Sequence, residues 1–298
     1  MNPTHHDPRG WTLYQADFAA TLAEVAKEGG ADLIAFSRPY CDARTYGMAC
    51  DWGMEEYARL GDAVFSALKP GGHALVNVDA PVREWRPGFG TERGFHPWRL
   101  MLDWAERVGF RVPDRLAFGR QGVPGAYEGR FRNDWEPLLW FQRPGPSEWV
   151  LGHDAVAVPA LTAGRRQDSS SARKQDGSTV LAAKVYADTA RRGTIWQYGN
   201  VGGNGCSGAP DIEDQNHPAR WPYRLARDIV VCFCPPGGLV VDPFVGAGTT
   251  AAAAIAEGRR FVGGDLGARQ GDGVPWVTVA HGVLTERSRQ TTLFGVHR

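Results

Sequence analysis

Two short stretches of this chain carry residue types and spacings that could do chemistry. The first, Ser37-Arg38-Pro39-Tyr40, follows the apolar run Leu33-Ile34-Ala35-Phe36. It offers a hydroxyl at Ser37, a main-chain carbonyl at Arg38 and a ring at Tyr40: two hydrogen-bond acceptors beside a stacking surface. The second, about two hundred residues on, is Val240-Val241-Asp242-Pro243-Phe244-Val245-Gly246-Ala247-Gly248-Thr249-Thr250. A strand that stops at Asp242, then Gly246-x-Gly248, then a helix, is a turn suited to close approach of a ligand. Glycine has no Cβ to keep the ligand off the backbone, and a helix N-terminus carries partial positive charge. By itself this turn also fits the G-x-G-x-x-A of a nicotinamide enzyme, with Asp265 nearly the right distance on to bind ribose hydroxyls. It equally fits a turn whose glycines serve packing alone.

The elements that must position these residues alternate, strand then helix, which favours a doubly wound, mostly parallel α/β sheet. The pattern predicts strands over 11–16, 32–36, 73–78, 136–142, 238–241 and 261–264. It predicts helices over 18–27, 54–68, 96–108, 221–231, 249–257 and 274–286. Gly29-Gly30 and Pro70-Gly71-Gly72 supply stops. From about 145 to 215 the pattern fails in a stretch rich in Ser, Gly, Asp and Arg. A structureless loop of that length inside a compact domain would be unusual, so the stretch is read as functional. The expected organisation is therefore 1–144, an inserted region 145–215, and 216–298.

Composition narrows the classes. The 33 basic and 33 acidic residues balance, so any polyanion partner must be met by local charge on one face. The polar N-terminus lacks the apolar segment of a secretory signal, and no apolar run approaches the roughly 20 residues of a bilayer span. A cytoplasmic, bacterial or phage-encoded protein is the expectation. Five cysteines, including Cys41, Cys50 and the C-x-C pair Cys232 and Cys234, give no zinc spacing, so no metal site is expected.

The two motifs together resemble those of the amino-methyltransferases that methylate an exocyclic nitrogen of a DNA base. Ser37-Arg38-Pro39-Tyr40 resembles the family's Ser-Pro-Pro-Tyr, and Asp242 to Thr249 its Asp-Pro-Phe-x-Gly-x-Gly-Thr. The order, catalytic motif first, is that of the permuted β-class. The text from His217 through Pro236-Gly237-Gly238 to Asp265 is similar to the family's as well. The resemblance implies a methyltransferase-type fold and S-adenosylmethionine as cofactor. It implies that Asp242, Pro243, Phe244, Gly246 and Gly248 surround the cofactor, that Thr249 bonds its carboxylate, that Asp265 takes the ribose, and that Asp17 faces the adenine. It also implies duplex DNA as substrate, with the target base flipped out. Serine at the first catalytic position points to N4 of cytosine rather than N6 of adenine. Arg38 departs from the family's proline: the carbonyl acceptor survives, but rigidity is lost and a cation is added, so a catalytically inactive DNA-binding relative stays open.

By the family layout, 145–215 is the target-recognition region. Its Arg165, Arg166, Arg173, Lys174, Arg191 and Arg192 are the expected DNA contacts, with Trp196 and Tyr198 behind them. The competing reading is a solvated linker, supported by the acids Glu148, Asp154, Asp168, Asp176 and Asp188. A homodimer stays open. The tail Gln290-Thr291-Thr292-Leu293-Phe294 resembles short peptides that dock on the bacterial sliding clamp; the alternative is that Leu293 and Phe294 anchor the tail on their own domain.

Overall fold

The computed structural model describes residues 1–8, 10–37, 53–80, 82–84, 91–119, 131–146, 151–160, 163, 166–198, 222–269 and 271–294. The chain divides into two compact units, Met1–Leu151 with Thr194–Arg298, and Gly152–Gly193. The first contributes β1 (His5–Asp7), β2 (Trp11–Tyr14), α1 (Phe18–Lys27), β3 (Ala31–Ser37), α2 (Met54–Ala67), β4 (Leu68–Asn77), β5 (Val82–Glu84), β6 (Thr91–Arg93), α3 (His96–Asp103), β7 (Arg115–Gly119) and β8 (Trp135–Gln142). The second holds β9 (Val158–Pro159), β10 (Arg166–Arg173), β11 (Thr179–Val185) and β12 (Thr189–Ala190). The chain re-enters the first unit with β13 (Ile195–Gln197), α4 (Tyr223–Phe233), β14 (Leu239–Asp242), α5 (Thr249–Ala256), β15 (Arg260–Gly264) and α6 (Trp276–Phe294).

Nine strands form one sheet among the described residues, in the order β1-β2-β15-β14-β3-β4-β8-β7-β13. Its centre, from β2 to β4, is parallel throughout. At the flanks β1 opposes β2, and β8 runs antiparallel to both β4 and β7. The doubly wound, mostly parallel sheet expected from the alternation is present, with these reversals added. The central strands read as unbroken apolar runs because both faces are covered. In β3, Ile34 and Phe36 join the core shared with α1 and α2. Leu33 and Ala35, which point to the other face, are fully buried too.

The helices fall into two packed groups, α1 to α3 and α4 to α6. Phe18, Leu22 and Val25 form the buried stripe of α1, whose N-terminus is capped by Asp17. The fully buried Trp104 lies against α2, its indole N–H donating to the Tyr57 carbonyl at 2.9 Å. A Cβ at Gly61 would sit 2.5 Å from that indole, so only glycine fits there. The helix expected over 96–108 is α-helical to Asp103 and continues as a π-turn from Trp104 to Val108.

The second unit is shorter than the irregular stretch 145–215. It is built on the hairpin β10–β11 and the small pair β9–β12. Ile195–Gln197 belongs to the large sheet, parallel to β7. Trp196 and Tyr198, expected to back the recognition arginines, are instead buried in the large unit, where the Tyr198 hydroxyl donates to Asp228 at 2.7 Å. Their apolar area has a closer use in the core than against a nucleic acid. No described helix is long and apolar enough to cross a membrane.

Candidate active site

Strands β14 and β3 are parallel neighbours whose onward connections leave in opposite directions, β14 through α5 to β15 and β3 through α2 to β4. That is a topological switch point, where the loops leaving the two carboxyl ends part and open a crevice. Asp242 ends β14 and Ser37 ends β3, so both sequence motifs empty into the same crevice.

The turn after β14 is built around two carboxylates. Asp242 is 4% exposed; its Oδ1 accepts the Phe244 N–H at 3.0 Å, and the Thr250 hydroxyl bonds the same side chain. Removal from water pushes its carboxyl up to about 7, the charge of Asp265 adds to that, and the two hydrogen bonds oppose it. Asp265 follows β15 and reaches back: Oδ2 accepts the Gly246 N–H at 2.9 Å and Oδ1 the Gly267 N–H at 2.7 Å. Burial also raises its carboxyl, against the pull of those two N–H groups. Gly246 and Gly248 stand at φ +48° and +87°, in the left-handed region that favours glycine. At Gly248 a Cβ would also meet the Ala280 Cβ of α6 at 3.2 Å. Gly248 caps α5 without a side-chain bond, and Thr249 opens its first turn. The first-turn N–H groups of a helix have no partner within it, which makes this end a donor set for an anionic or polar ligand.

Of the residues read as cofactor contacts, Asp242, Pro243, Phe244, Gly246, Gly248, Thr249 and Asp265 are brought together here. The Phe244 ring stands 5.3 Å from Phe36 and 5.9 Å from Phe18, centroid to centroid. Asp17 begins the element that carries Phe18, and its Oδ1 is engaged in capping α1, accepting the Ala20 N–H at 2.7 Å. For Asp265 the structure adds a function the spacing did not reveal. Both its oxygens accept backbone N–H bonds that hold the glycine turn and the segment after β15, while each keeps a second lone pair.

Ser37 is half-buried and registered opposite Asn77 of β4. Arg38, Pro39 and Tyr40 lie outside the described residues. Beyond Asn77 stands a cluster that sequence reasoning missed. Asp79 Oδ2 accepts from Arg93 at 2.6 Å and from the Asn133 amide at 3.2 Å, and Asp79 Oδ1 from the Ala80 N–H at 2.8 Å. Asn77, 1% exposed, donates to the Pro137 carbonyl at 3.1 Å. A carboxylate just past a strand end is the signal that marked Asp242 and Asp265; Asn77-Val78-Asp79 after β4 repeats it.

In the second unit, Arg173 and Lys174 are exposed at the closed end of the β10–β11 hairpin, where Lys174 N–H donates to the Ser178 carbonyl at 2.7 Å. Arg166 begins β10 at its other end, about 23 Å away at strand spacing, so these positions do not form one patch. Arg191 is exposed and Arg192 half-buried, just past β12; Arg165 is outside the described residues. Cys232 and Cys234 are free thiols, and both are buried.

Residues 31–270 match the family model N6_N4_Mtase, described as DNA methylase. The orphan methyltransferase M.BamHII of Bacillus amyloliquefaciens is 27% identical over 237 residues, 79% of this chain and 83% of that protein. The DNA adenine methyltransferase YhdJ of Escherichia coli K12 is 27% identical over 270 residues, 88% of this chain and 80% of its own. Among solved structures, the cytosine-N4-specific PvuII DNA methyltransferase superposes with a TM-score of 0.59 at 17% identity, covering 94% of this chain and 92% of that one. A DNA modification methylase of Thermus thermophilus, TTHA0409, solved with S-adenosyl-L-methionine, superposes with a TM-score of 0.57 at 20% identity, covering 92% and 95%. With four-fifths of its length matched by the family model, and both motifs at the switch point of the sheet, the chain belongs to the N6/N4 DNA methylase family.

Proposed function

We propose that this protein is a site-specific DNA methyltransferase that moves a methyl group from S-adenosylmethionine to the N4 amine of cytosine in duplex DNA. The observation that carries the reading is the convergence of the Ser37 strand end and the Gly246–Gly248 turn at one switch point. The residues present fit the cofactor. A glycine turn leading into a helix N-terminus suits its polar amino-acid end, Asp265 has lone pairs for ribose hydroxyls, and the Phe244 ring gives an apolar wall. Asp17 is the assigned neighbour of the adenine. When bound, S-adenosylmethionine supplies an electrophilic methyl group.

The chain's own task is to prepare the amine. An exocyclic amine on a pyrimidine is a weak nucleophile because its lone pair is delocalised into the ring. Accepting both N–H bonds, at the Ser37 hydroxyl and the Arg38 carbonyl, pulls the nitrogen toward sp³ and localises that pair. Tyr40 stacks on the extruded base and offsets part of the few kcal/mol that flipping costs. Positioning and electrostatic complementarity carry the acceleration, with no covalent enzyme intermediate.

The second unit, inside the 145–215 stretch, is assigned to target recognition, with Arg173 and Lys174 as its leading DNA contacts. Adenine N6 is the second reading, supported by the similarity to the adenine methyltransferase YhdJ. A cytoplasmic location, a homodimer and clamp docking through Gln290, Leu293 and Phe294 go with this reading as secondary proposals. Incubating the protein with mixed-sequence duplex and labelled cofactor, then digesting to nucleosides, tests the assignment. N4-methylcytosine is expected; N6-methyladenine as sole product replaces the base assignment, and an unlabelled digest removes the activity.

A further inference from the structure

At the end of the sheet away from Ser37, where β3 and β4 begin, a cavity of about 540 Å³ opens among Asp32, Lys69, His73 and the rings of Pro70, Pro236 and Phe233. Its volume is that of a small-molecule site. Asp32 lies five residues before Ser37, roughly 16 Å along the strand, so the cavity is separate from the crevice described above.

Its chemistry follows from His73, which is 4% exposed. The Trp140 indole N–H stands 3.2 Å from His73 Nδ1. An indole nitrogen only donates, so Nδ1 must accept and the ring proton sits on Nε2. Burial pushes the His73 pKa down to about 4, which keeps the ring neutral and this tautomer in place at neutral pH. Nε2–H has no protein acceptor among the described residues, and His73 lines the cavity, so a buried donor is left for whatever enters. Lys69 supplies the second donor. Its ammonium is paired to Asp32 at 2.8 and 2.9 Å, and Asp32 is already satisfied because its Oδ2 also accepts the Leu239 N–H at 2.7 Å. The third ammonium proton remains for a ligand.

We propose that this cavity is a second ligand site taking a small carboxylic acid with a ring body. Its carboxylate accepts from His73 Nε2–H and Lys69 Nζ, and its ring lies against Phe233 and the prolines. The proposal does not depend on methyl transfer, and its test uses neither DNA nor the methyl donor. Sodium benzoate titrated into the full chain, followed at the Trp140 indole N–H by ¹⁵N NMR, should give a saturable shift. Benzamide should bind at least about tenfold more weakly, and Lys69→Gln should weaken benzoate by about tenfold. Pro236→Asp, a change on the exposed rim, should also weaken benzoate by setting a like charge at the mouth. A shift that does not saturate, equal affinity for benzoate and benzamide, or unchanged benzoate affinity in both variants would overturn the proposal.

Discussion

The rings of Phe36 and Phe244 stand 5.3 Å apart, centroid to centroid, tilted by 53°. One precedes Ser37 and the other follows Asp242, so this contact ties the catalytic strand end to the cofactor turn across about two hundred residues of chain. Aromatic pairs of this kind contribute about 0.5–1.5 kcal/mol beyond their buried area. A double-mutant cycle with Phe36→Leu and Phe244→Leu, read by urea unfolding, should return a coupling energy in that range. Strictly additive effects would mean that the two segments are held in place independently.

Asp265→Ala removes the acceptor of the Gly246 and Gly267 N–H groups and leaves two partly buried donors unpaired. The expected loss is about 2–3 kcal/mol of unfolding free energy, together with weaker S-adenosylmethionine binding. If calorimetry found affinity reduced while stability stayed at the wild-type value, Asp265 would be a ligand contact alone and not the clamp of the turn.

Asp242 gives the protein a pH signature. Its folded pKa of about 7 lies above the ordinary carboxylate value of about 4, so the folded state holds this proton more tightly than the unfolded chain. The stability this group contributes is therefore fully present below about pH 4 and lost as pH rises through about 7. Asp242→Asn should lose that decline, so the wild-type and variant unfolding free energies should diverge across the window. Parallel curves would show that Asp242 ionises normally.

Arg173 and Lys174 sit together at the hairpin end, which makes them a testable phosphate contact. Replacing both by Ala should weaken duplex binding and flatten the slope of log affinity against log salt by about two, at roughly 0.9 per phosphate contact. An unchanged slope would move the recognition surface elsewhere in the second unit.

What the sequence made legible were the parts whose physics is local. The continuous apolar run of β3, the cap at Asp17, and the glycine turn between Asp242 and Thr249 each announce themselves within a dozen residues. Strands that draw their stability from partners did not. The run Arg115–Gly119 and the three residues Ile195–Gln197 have no strong pattern of their own, and they pair only because β8 and then β7 offer an edge. The same cause misassigned Trp196 and Tyr198: an aromatic in a polar stretch looks like a contact until the strand that buries it is known. In the site, spacing found Asp265 but not the two N–H groups it holds, because Gly246 and Gly267 reach it through the turn of the chain.

The central claim is that Ser37 acts on the target amine beside a cofactor held by the neighbouring strand. Its most direct test is Ser37→Ala, with methyl transfer to duplex DNA and S-adenosylmethionine affinity measured on the same preparation. The hydrogen bond removed is one that matters in the transition state, so turnover should fall about 10–100-fold while the cofactor Kd stays at the wild-type value. Undiminished turnover, or a loss explained entirely by weaker cofactor binding, would contradict the account.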